Sequence, residues 1–189
     1  MAKYTKIPED TFDKLQLNAG VLVSDFDVET GAVSASDIIG ATSGGISFSA
    51  VPSFSDEGDD IDNCPKNTKE LKKLEDWEIG LSGTFVSLDA RSVKRLIAAG
   101  EVDEDKITPR NYLEEEDFED IWWVGDYSSN NSEESGGFIA IHMMNALSTG
   151  GFSIQSTDRA KGAFSFDFTA HYSIDNPDVV PFEVFVKGA

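Results

Sequence analysis

The sequence predicts a mainly-β protein carrying one α-helix. Apolar residues recur at every second position over most of the chain, the period of a strand with one buried and one wet face. Only one segment shows a convincing helical stripe with a cap and a stop. The chain is also too aromatic for a disordered acidic polymer: Phe, Tyr and Trp make up 11% of its 189 residues, and side chains of that size build packed cores.

In chain order, residues 19–26 form a short β-rich stretch. Residues 45–55 alternate, with Ile46, Phe48, Ala50, Pro52 and Phe54 on one parity and Ser47, Ser49, Ser53 and Ser55 on the other; only Val51 is out of place. Residues 55–76 read as a long polar connection containing a weak helical turn at 67–74, with Leu71 and Leu74 inward. Residues 78–88 set Ile79, Leu81 and Phe85 against Glu78, Ser82 and Thr84. The helix spans 90–99. Asp89 supplies a capping carboxylate, Val93, Leu96 and Ile97 the apolar stripe, Arg91, Lys94 and Arg95 the other side, and Gly100 the stop.

A second polar connection, 101–117, leads into residues 118–127, where Trp122 and Val124 lie opposite Ile121, Trp123 and Tyr127. After a third connection at 128–137, residues 138–144 are again apolar on both sides, with Phe138, Ala140 and Met144 opposite Ile139, Ile141 and Met143. Such strands belong at the centre of a sandwich or at a subunit contact. Phe152 and Ile154 alternate with Ser153, Gln155 and Thr157. The clearest strand covers 162–173, with Phe164, Phe166, Phe168, Ala170 and Tyr172 against Ser165, Asp167, Thr169 and His171. Residues 181–187 close the series. The length suits one domain over residues 1–189.

Charge sets the chain apart. There are 35 Asp and Glu against 15 Lys and Arg, a net charge of −20, where a small soluble domain does well at a magnitude of about 2–8. That balance argues against a broad grip on nucleic-acid phosphates. The charge is segregated. Asp56, Glu57, Asp59, Asp60 and Asp62 are followed by Lys66, Lys69, Lys72 and Lys73; Glu101, Asp103, Glu104 and Asp105 form a second acidic block, and Glu114, Glu115, Glu116, Asp117, Glu119 and Asp120 a third. Acidic and basic patches on separate loops suit head-to-tail association, and solvated loop charge with no partner is the plain alternative. No secretory h-region and no stretch of 18 consecutive apolar residues is present, so the expectation is a chain made and kept in a cytoplasm, with no membrane.

Sites for chemistry are scarce. Cys64, the single cysteine, precedes Pro65 in an acidic loop, a poor setting for a thiolate nucleophile. His142 lies in an apolar strand and reads as a satisfied core or interface histidine. His171 sits on a polar strand face beside Asp167 and Thr169, with no Gly-x-Ser-x-Gly elbow. Two separated histidines and one cysteine do not make a zinc site of usual spacing. The oxygen-rich Asp-Glu-Gly-Asp-Asp-Ile-Asp-Asn run at 56–63 could hold calcium loosely, but lacks the EF-hand order and closing Glu. Thr42-Ser43-Gly44-Gly45 and Ser148-Thr149-Gly150-Gly151 are not followed by the Lys-Ser/Thr of a phosphate loop. No catalytic residue, metal or cofactor is assigned.

The segments Pro8-Glu9-Asp10-Thr11-Phe12 onward to Gly31, Gly40-Ala41-Thr42-Ser43-Gly44-Gly45, Gly58-Asp59-Asp60-Ile61-Asp62-Asn63 and Trp77-Glu78 to Ser82-Gly83-Thr84-Phe85-Val86 carry a resemblance. So do Ile121-Trp122-Trp123-Val124-Gly125-Asp126-Tyr127, Gly137-Phe138-Ile139-Ala140-Ile141-His142, Asn145-Ala146-Leu147-Ser148-Thr149-Gly150-Gly151 and Pro181-Phe182-Glu183-Val184-Phe185. Over nearly its full length, most weakly at 101–116, the chain resembles the tail tube (major tail) proteins of long-tailed bacteriophages of Gram-positive gut bacteria. The resemblance implies two packed antiparallel sheets, a sandwich or half-barrel, with a flanking helix. It also implies hexameric rings closed by a continuous β-barrel and stacked into a tube that conducts DNA during ejection. Tail initiator, tape-measure and terminator proteins are the implied partners, and the virion the implied location.

On that reading, hydroxyls and carboxylates line the bore without gripping passing DNA. The lining residues expected are Ser47, Ser49, Glu78, Ser82, Thr84, Ser153, Gln155, Ser165, Asp167 and Thr169, whose alternative role is ordinary solvent-facing strand positions. The 55–76 loop and the termini are the assembly arms. Asp56, Glu57, Asp59, Asp60, Asp62, Lys69, Lys72 and Lys73 serve ring stacking, and Trp122 and Trp123 subunit packing. Rival readings are an acidic carbohydrate-binding β-sandwich using Trp122, Trp123 and Tyr127, an enzyme with an unrecognised acid pair, and a capsid decoration or baseplate subunit.

Overall fold

The computed structural model describes residues 4, 7–9, 11–127 and 137–188. Most of the 128–137 connection, with its Asn130-Asn131-Ser132 sequon, and the extreme termini lie outside the described residues. In order, the chain forms β1 (Gln16–Val23), β2 (Thr42–Asp56), β3 (Lys72–Phe85), α1 (Ala90–Ile97), β4 (Gly100–Asp103), β5 (Lys106–Pro109), β6 (Glu119–Tyr127), β7 (Gly137–Ser148), β8 (Phe164–Ala170) and β9 (Phe182–Lys187). Short 3-10 turns occupy Thr11–Lys14 and Glu115–Asp117.

Seven of these strands form one antiparallel sheet in the order β1-β6-β7-β8-β3-β2, with β9 also paired to β7; β4 and β5 make a separate hairpin. The strand β7 is the spine. One edge pairs with β6 along its length. The other edge pairs first with β9, from Phe138↔Lys187 to Met143↔Phe182, and then with β8, from Ala146↔Ala170 to Ser148↔Phe168. Asn145 stands at the changeover with φ 49°, a left-handed conformation that Asn tolerates better than most residues. Its N–H donates to Asp120 Oδ1 at 3.0 Å and its Nδ2 to the His171 carbonyl at 3.1 Å. The sheet therefore divides into two halves that diverge from β7 and curl into a half-barrel.

The inward faces of both halves make the main core. Leu22, Ile79, Leu81, Phe85, Ile121, Met143, Phe166 and Phe168 are each no more than 2% exposed, and burying such a side chain stabilises by about 1.5–3 kcal/mol. A second cluster (Val23, Phe26, Trp122 and Ala140) lies on the opposite face of the β1-β6-β7-β9 half, with Val28, Val124, Phe138 and Phe185 against it. This is why β6 and β7 read as apolar on both sides: the 24–39 segment covers one face and the other sheet half covers the other.

Helix α1 closes the main core through Leu96. Asp89 caps it as expected, accepting from Ser92 N–H at 2.7 Å. The helix ends at Ile97, before the predicted Ala99, because Ala98 takes φ 66° and donates its N–H to the Arg95 carbonyl. Gly100 opens β4 instead of stopping the helix.

Other expectations need correction. The predicted turn at 67–74 gives way to strand from Lys72, and Leu74 is 47% exposed. The polar connection 55–76 is shorter than expected, because β2 runs on through Asp56 and pairs it with Lys72. Within 101–117 lies the β4–β5 hairpin, turned by Glu104 at φ 53°. Residues 152–157 form no regular strand, and Phe152 and Ile154 are 44% and 58% exposed.

Candidate functional site

The period-two alternation of β2, β3 and β8 puts one polar side chain beside another across three strands. Register pairs Ser47 with Ser82 and Ser82 with Asp167; Ser49 with Gly80 and Gly80 with Thr169; Val51 with Glu78; and Thr84 with Ser165. Ser153, although outside any strand, reaches this face with its Oγ 2.7 Å from Ser165 Oγ. Gln155 exchanges two backbone hydrogen bonds with Ala163 and extends the same edge. The ten residues expected on one wet face are thus assembled along one, with Phe48, Leu81, Phe166 and Phe168 packed behind it. Thr149 completes the face, its Oγ1 2.9 Å from Thr169 Oγ1. The sequence pattern hid it in a Thr-Gly-Gly turn. The named positions supply hydroxyls, an amide and the carboxylates of Glu78 and Asp167; Val51, 56% exposed, is the one large apolar residue among them.

The β2–β3 hairpin carries the first acidic block and the lysines. Asp56 is structural: Oδ1 accepts from Gly58 N–H at 3.0 Å and Oδ2 from Asn67 N–H at 2.9 Å, fixing both limbs of the loop. Both oxygens of the lead carboxylate in the proposed calcium run are therefore engaged by backbone. Glu57, Asp59, Asp60 and Asp62 are exposed. Lys69 and Lys73 sit 3.4 Å and 3.5 Å from Glu70 and Glu75, on exposed pairs that contribute little. Lys72 lies over the Phe54 ring, 5.6 Å from its centroid.

The two tryptophans separate. Trp122, expected at a subunit contact, is only 9% exposed. It is covered by Phe26 and Phe185 and stacked on His142 at 3.9 Å and 4°. Adjacent residues on a strand face opposite ways, so Trp122 and Trp123 cannot form one carbohydrate platform. Trp123 keeps a surface; its Nε1 donates to the Ala19 carbonyl at 3.0 Å.

His142 is the satisfied interior histidine the sequence suggested, with Nε2 2.9 Å from Asp120 Oδ2 and Nδ1 3.7 Å from Glu183. His171 is held at the β7 seam, its Nδ1 3.3 Å from the Asn145 carbonyl. Among the described residues, neither histidine is hydrogen-bonded to a Ser, Thr or Cys side chain.

Two members of the third acidic block, Asp117 and Glu119, are folded inward onto cations, which the sequence did not reveal, while Glu114, Glu115, Glu116 and Asp120 stay exposed. Asp117, 1% exposed at its side chain, lies 3.0 Å from Lys94 and accepts two hydrogen bonds from Arg110 Nη2 at 2.9 and 3.0 Å. Glu119 pairs with Arg95 at 2.6 Å. Arg110 also reaches Glu114 at 2.8 Å and stacks over Tyr112. Burial works to raise the Asp117 carboxyl, but the Glu114 N–H and the Lys94 and Arg110 cations outweigh it and hold it below the usual carboxylate range. Lys94 and Arg95, expected on a wet helix side, are the cations that make this cluster. Among the described residues, no group of three or more His, Cys, Asp or Glu is arranged to hold a metal ion, and no helix is long and apolar enough to cross a membrane.

No family model matches the chain, and no curated protein gives a significant match. Among solved structures, it is similar to a chain described as "Tail of empty GTA particle computed with helical refinement, C6 symmetry", with 10% identity and a TM-score of 0.40 over 82% of this chain and 92% of that one.

Proposed function

We propose that the chain is a structural subunit of a bacteriophage tail tube, and that copies close into hexameric rings and stack around a channel through which DNA is ejected. The observation that carries this reading is the polar face of β2, β3 and β8. Three strands present aligned Ser, Thr, Glu and Asp on one side of a curled sheet whose other side is core. The resemblance noted in the sequence supplies the assembly in which such a face has a use.

Sliding DNA is retained by cationic contacts, because each one releases counterions and adds affinity. A wall of hydroxyls hydrates the phosphate chain, and Glu78 and Asp167 repel it. Among the described residues the sheet has edges on β2, β9 and β1, the last bridged at Val23 by the 37–39 segment. Closing a ring of copies through such edges removes sites for uncontrolled pairing. Initiator, tape-measure and terminator proteins would set where the tube starts, how long it grows and where it stops. The carbohydrate-module alternative loses its main premise with Trp122 buried.

The test is electron microscopy of the purified full-length chain across concentration and time, with and without tail-initiation proteins. Hollow tubes of uniform bore are expected, with Ser47, Ser82 and Asp167 on the inner wall. Monodisperse particles that persist with the initiators present, or tubes with those residues on the outer wall, would sink the proposal.

A further inference from the structure

His142 stands on β7 between two strands, with Trp122 opposite it on β6 and Glu183 opposite it on β9. Both of its ring nitrogens face carboxylates. Nε2 lies 2.9 Å from Asp120 Oδ2 and Nδ1 lies 3.7 Å from Glu183 Oε2, while the ring stacks flat on the Trp122 indole. The imidazole is 14% exposed, and the two carboxylates are about half exposed, at 49% and 53%. A neutral imidazole has one N–H. It can donate to one of these carboxylates and turns a lone pair on the other. The imidazolium donates to both and also sets a cation against the indole face.

One of those carboxylates is also built into the joint between the sheet halves. Register runs from Glu119↔Ala146 to Ile121↔Met143, so Met144 and Asn145 of β7 oppose Asp120 alone. That is a β-bulge, and a bulge takes backbone N–H groups out of the ladder. Met144 N–H donates to the Pro181 carbonyl and Asn145 N–H to Asp120 Oδ1, each at 3.0 Å. Asp120 therefore gives one oxygen to the bulge and the other to His142. At the same place β7 exchanges β9 for β8 as its neighbour.

We propose that His142 is a proton-operated clasp at this joint. With the proton on, one ring ties β6 and β9 across β7 and draws Asp120 onto the bulge. With it off, one tie is lost, the bulge is held less firmly and the two sheet halves move more freely. Histidine is the side chain whose charge ordinarily changes between pH 5 and 8. The charged groups facing the ring are Asp120 from β6 and Glu183 from β9; the covering 24–39 segment brings Phe26 against Trp122. His171 also meets the joint, its Nδ1 3.3 Å from the Asn145 carbonyl. A carbonyl accepts from Nδ1–H in the neutral and the charged ring alike, so that contact does not require a switch. The inference rests on the fold alone and stands whether or not copies build a tube.

The test is hydrogen exchange at the Asn145 amide of the full-length chain, read by NMR at pH 5.5, 6.5 and 8 and expressed as protection relative to the unstructured rate. Protection is expected to fall about fivefold as pH rises across that interval, the effect of losing one charged contact. In the same samples the His142 ring should pass from two protonated nitrogens to one. His142→Gln can still donate to Asp120 but gains no proton, and its Asn145 protection should stay level. Glu183→Gln keeps the histidine with a single carboxylate and should reduce the fall to less than about twofold. Protection that is level with pH in the parent chain, or that falls equally in His142→Gln with His171 in place, would overturn the clasp. A His142 ring that does not change charge over the interval would overturn it as well.

Discussion

Asp117 shows how one carboxylate can organise a region. It joins α1 to the segment after β5 through Lys94 and Arg110, and it caps the turn at Glu115–Asp117 by accepting the Glu114 N–H at 2.9 Å. Asp117→Ala should destabilise by about 3 kcal/mol, the lower end of the cost of stranding buried charges, since Glu114 and Glu119 remain nearby. Chemical denaturation would show it as a lowered midpoint at unchanged slope. The pH dependence follows from the same residue. Hydrogen bonding to Ser92 holds Asp89 below the usual carboxylate range, as the Asp117 cluster holds its own carboxyl. Groups so depressed add stability that is complete above the unfolded value, near pH 3.9, and lost as pH falls through the lower folded value. The stability gap between the parent chain and Asp117→Asn should therefore narrow on acidification from about pH 6 to pH 3. A constant gap would contradict the assignment. At Gly20 the backbone adopts φ +71°, and a Cβ would stand 2.5 Å from Trp123 Nε1 and 2.6 Å from the Val124 carbonyl. Gly20→Ala combines left-handed strain with overpacking and should cost roughly 2–4 kcal/mol in an equilibrium unfolding measurement.

At the scale of elements, the alternating strands were legible because their two faces meet different surroundings. Phe164, Phe166 and Phe168 against Ser165 and Asp167 fixed both the strand and its orientation. The same pattern brought the polar face together across β2, β3 and β8, although which strands pair is a non-local property that no single window contains. What escaped detection has physical causes. The β4–β5 hairpin is short and mostly exposed, so its residues carry little apolar signal. Leu71 and Leu74 suggested a helical turn, yet cross-strand pairing with β2 overrode that weak spacing. The acidic run at 114–120 looked solvated because its cations lie more than 20 residues upstream on α1 or are set apart as a lone Arg110. The 55–76 arm, expected to serve assembly, is open to test. Replacing residues 57–71 by a tight turn removes the loop with Lys66 and Lys69 while leaving the β2–β3 ladder, including Lys72 and Lys73, below it. The expected product is a folded monomer by circular dichroism that no longer forms tubes under the microscope. Tubes assembling at the parent rate would remove the arm from assembly.

For the whole molecule, charge and apolar surface pull in opposite directions. Each copy brings −20, so copies repel at long range, whereas exposed apolar side chains such as Phe54, Leu74, Val184 and Val186 attract only on contact. Lysines on the arm oppose the repulsion locally, but exposed pairs of this kind contribute about 0–1 kcal/mol each. The long-range repulsion is the larger salt-sensitive quantity, and it weakens once the screening length falls to about 10 Å at 0.1 M salt and about 3 Å at 1 M. Burial of the aliphatic and aromatic surfaces does not weaken with added sodium chloride in this way. Self-association should therefore strengthen as salt rises from about 0.05 to 0.5 M, measured by sedimentation velocity at fixed protein concentration. Neutralising part of the acidic surplus away from those side chains, for example with Glu101→Gln and Asp103→Asn on the exposed β4 strand, should reproduce part of that gain at low salt. Association that falls with salt would mean that lysine–carboxylate contacts, not apolar docking, hold the copies together.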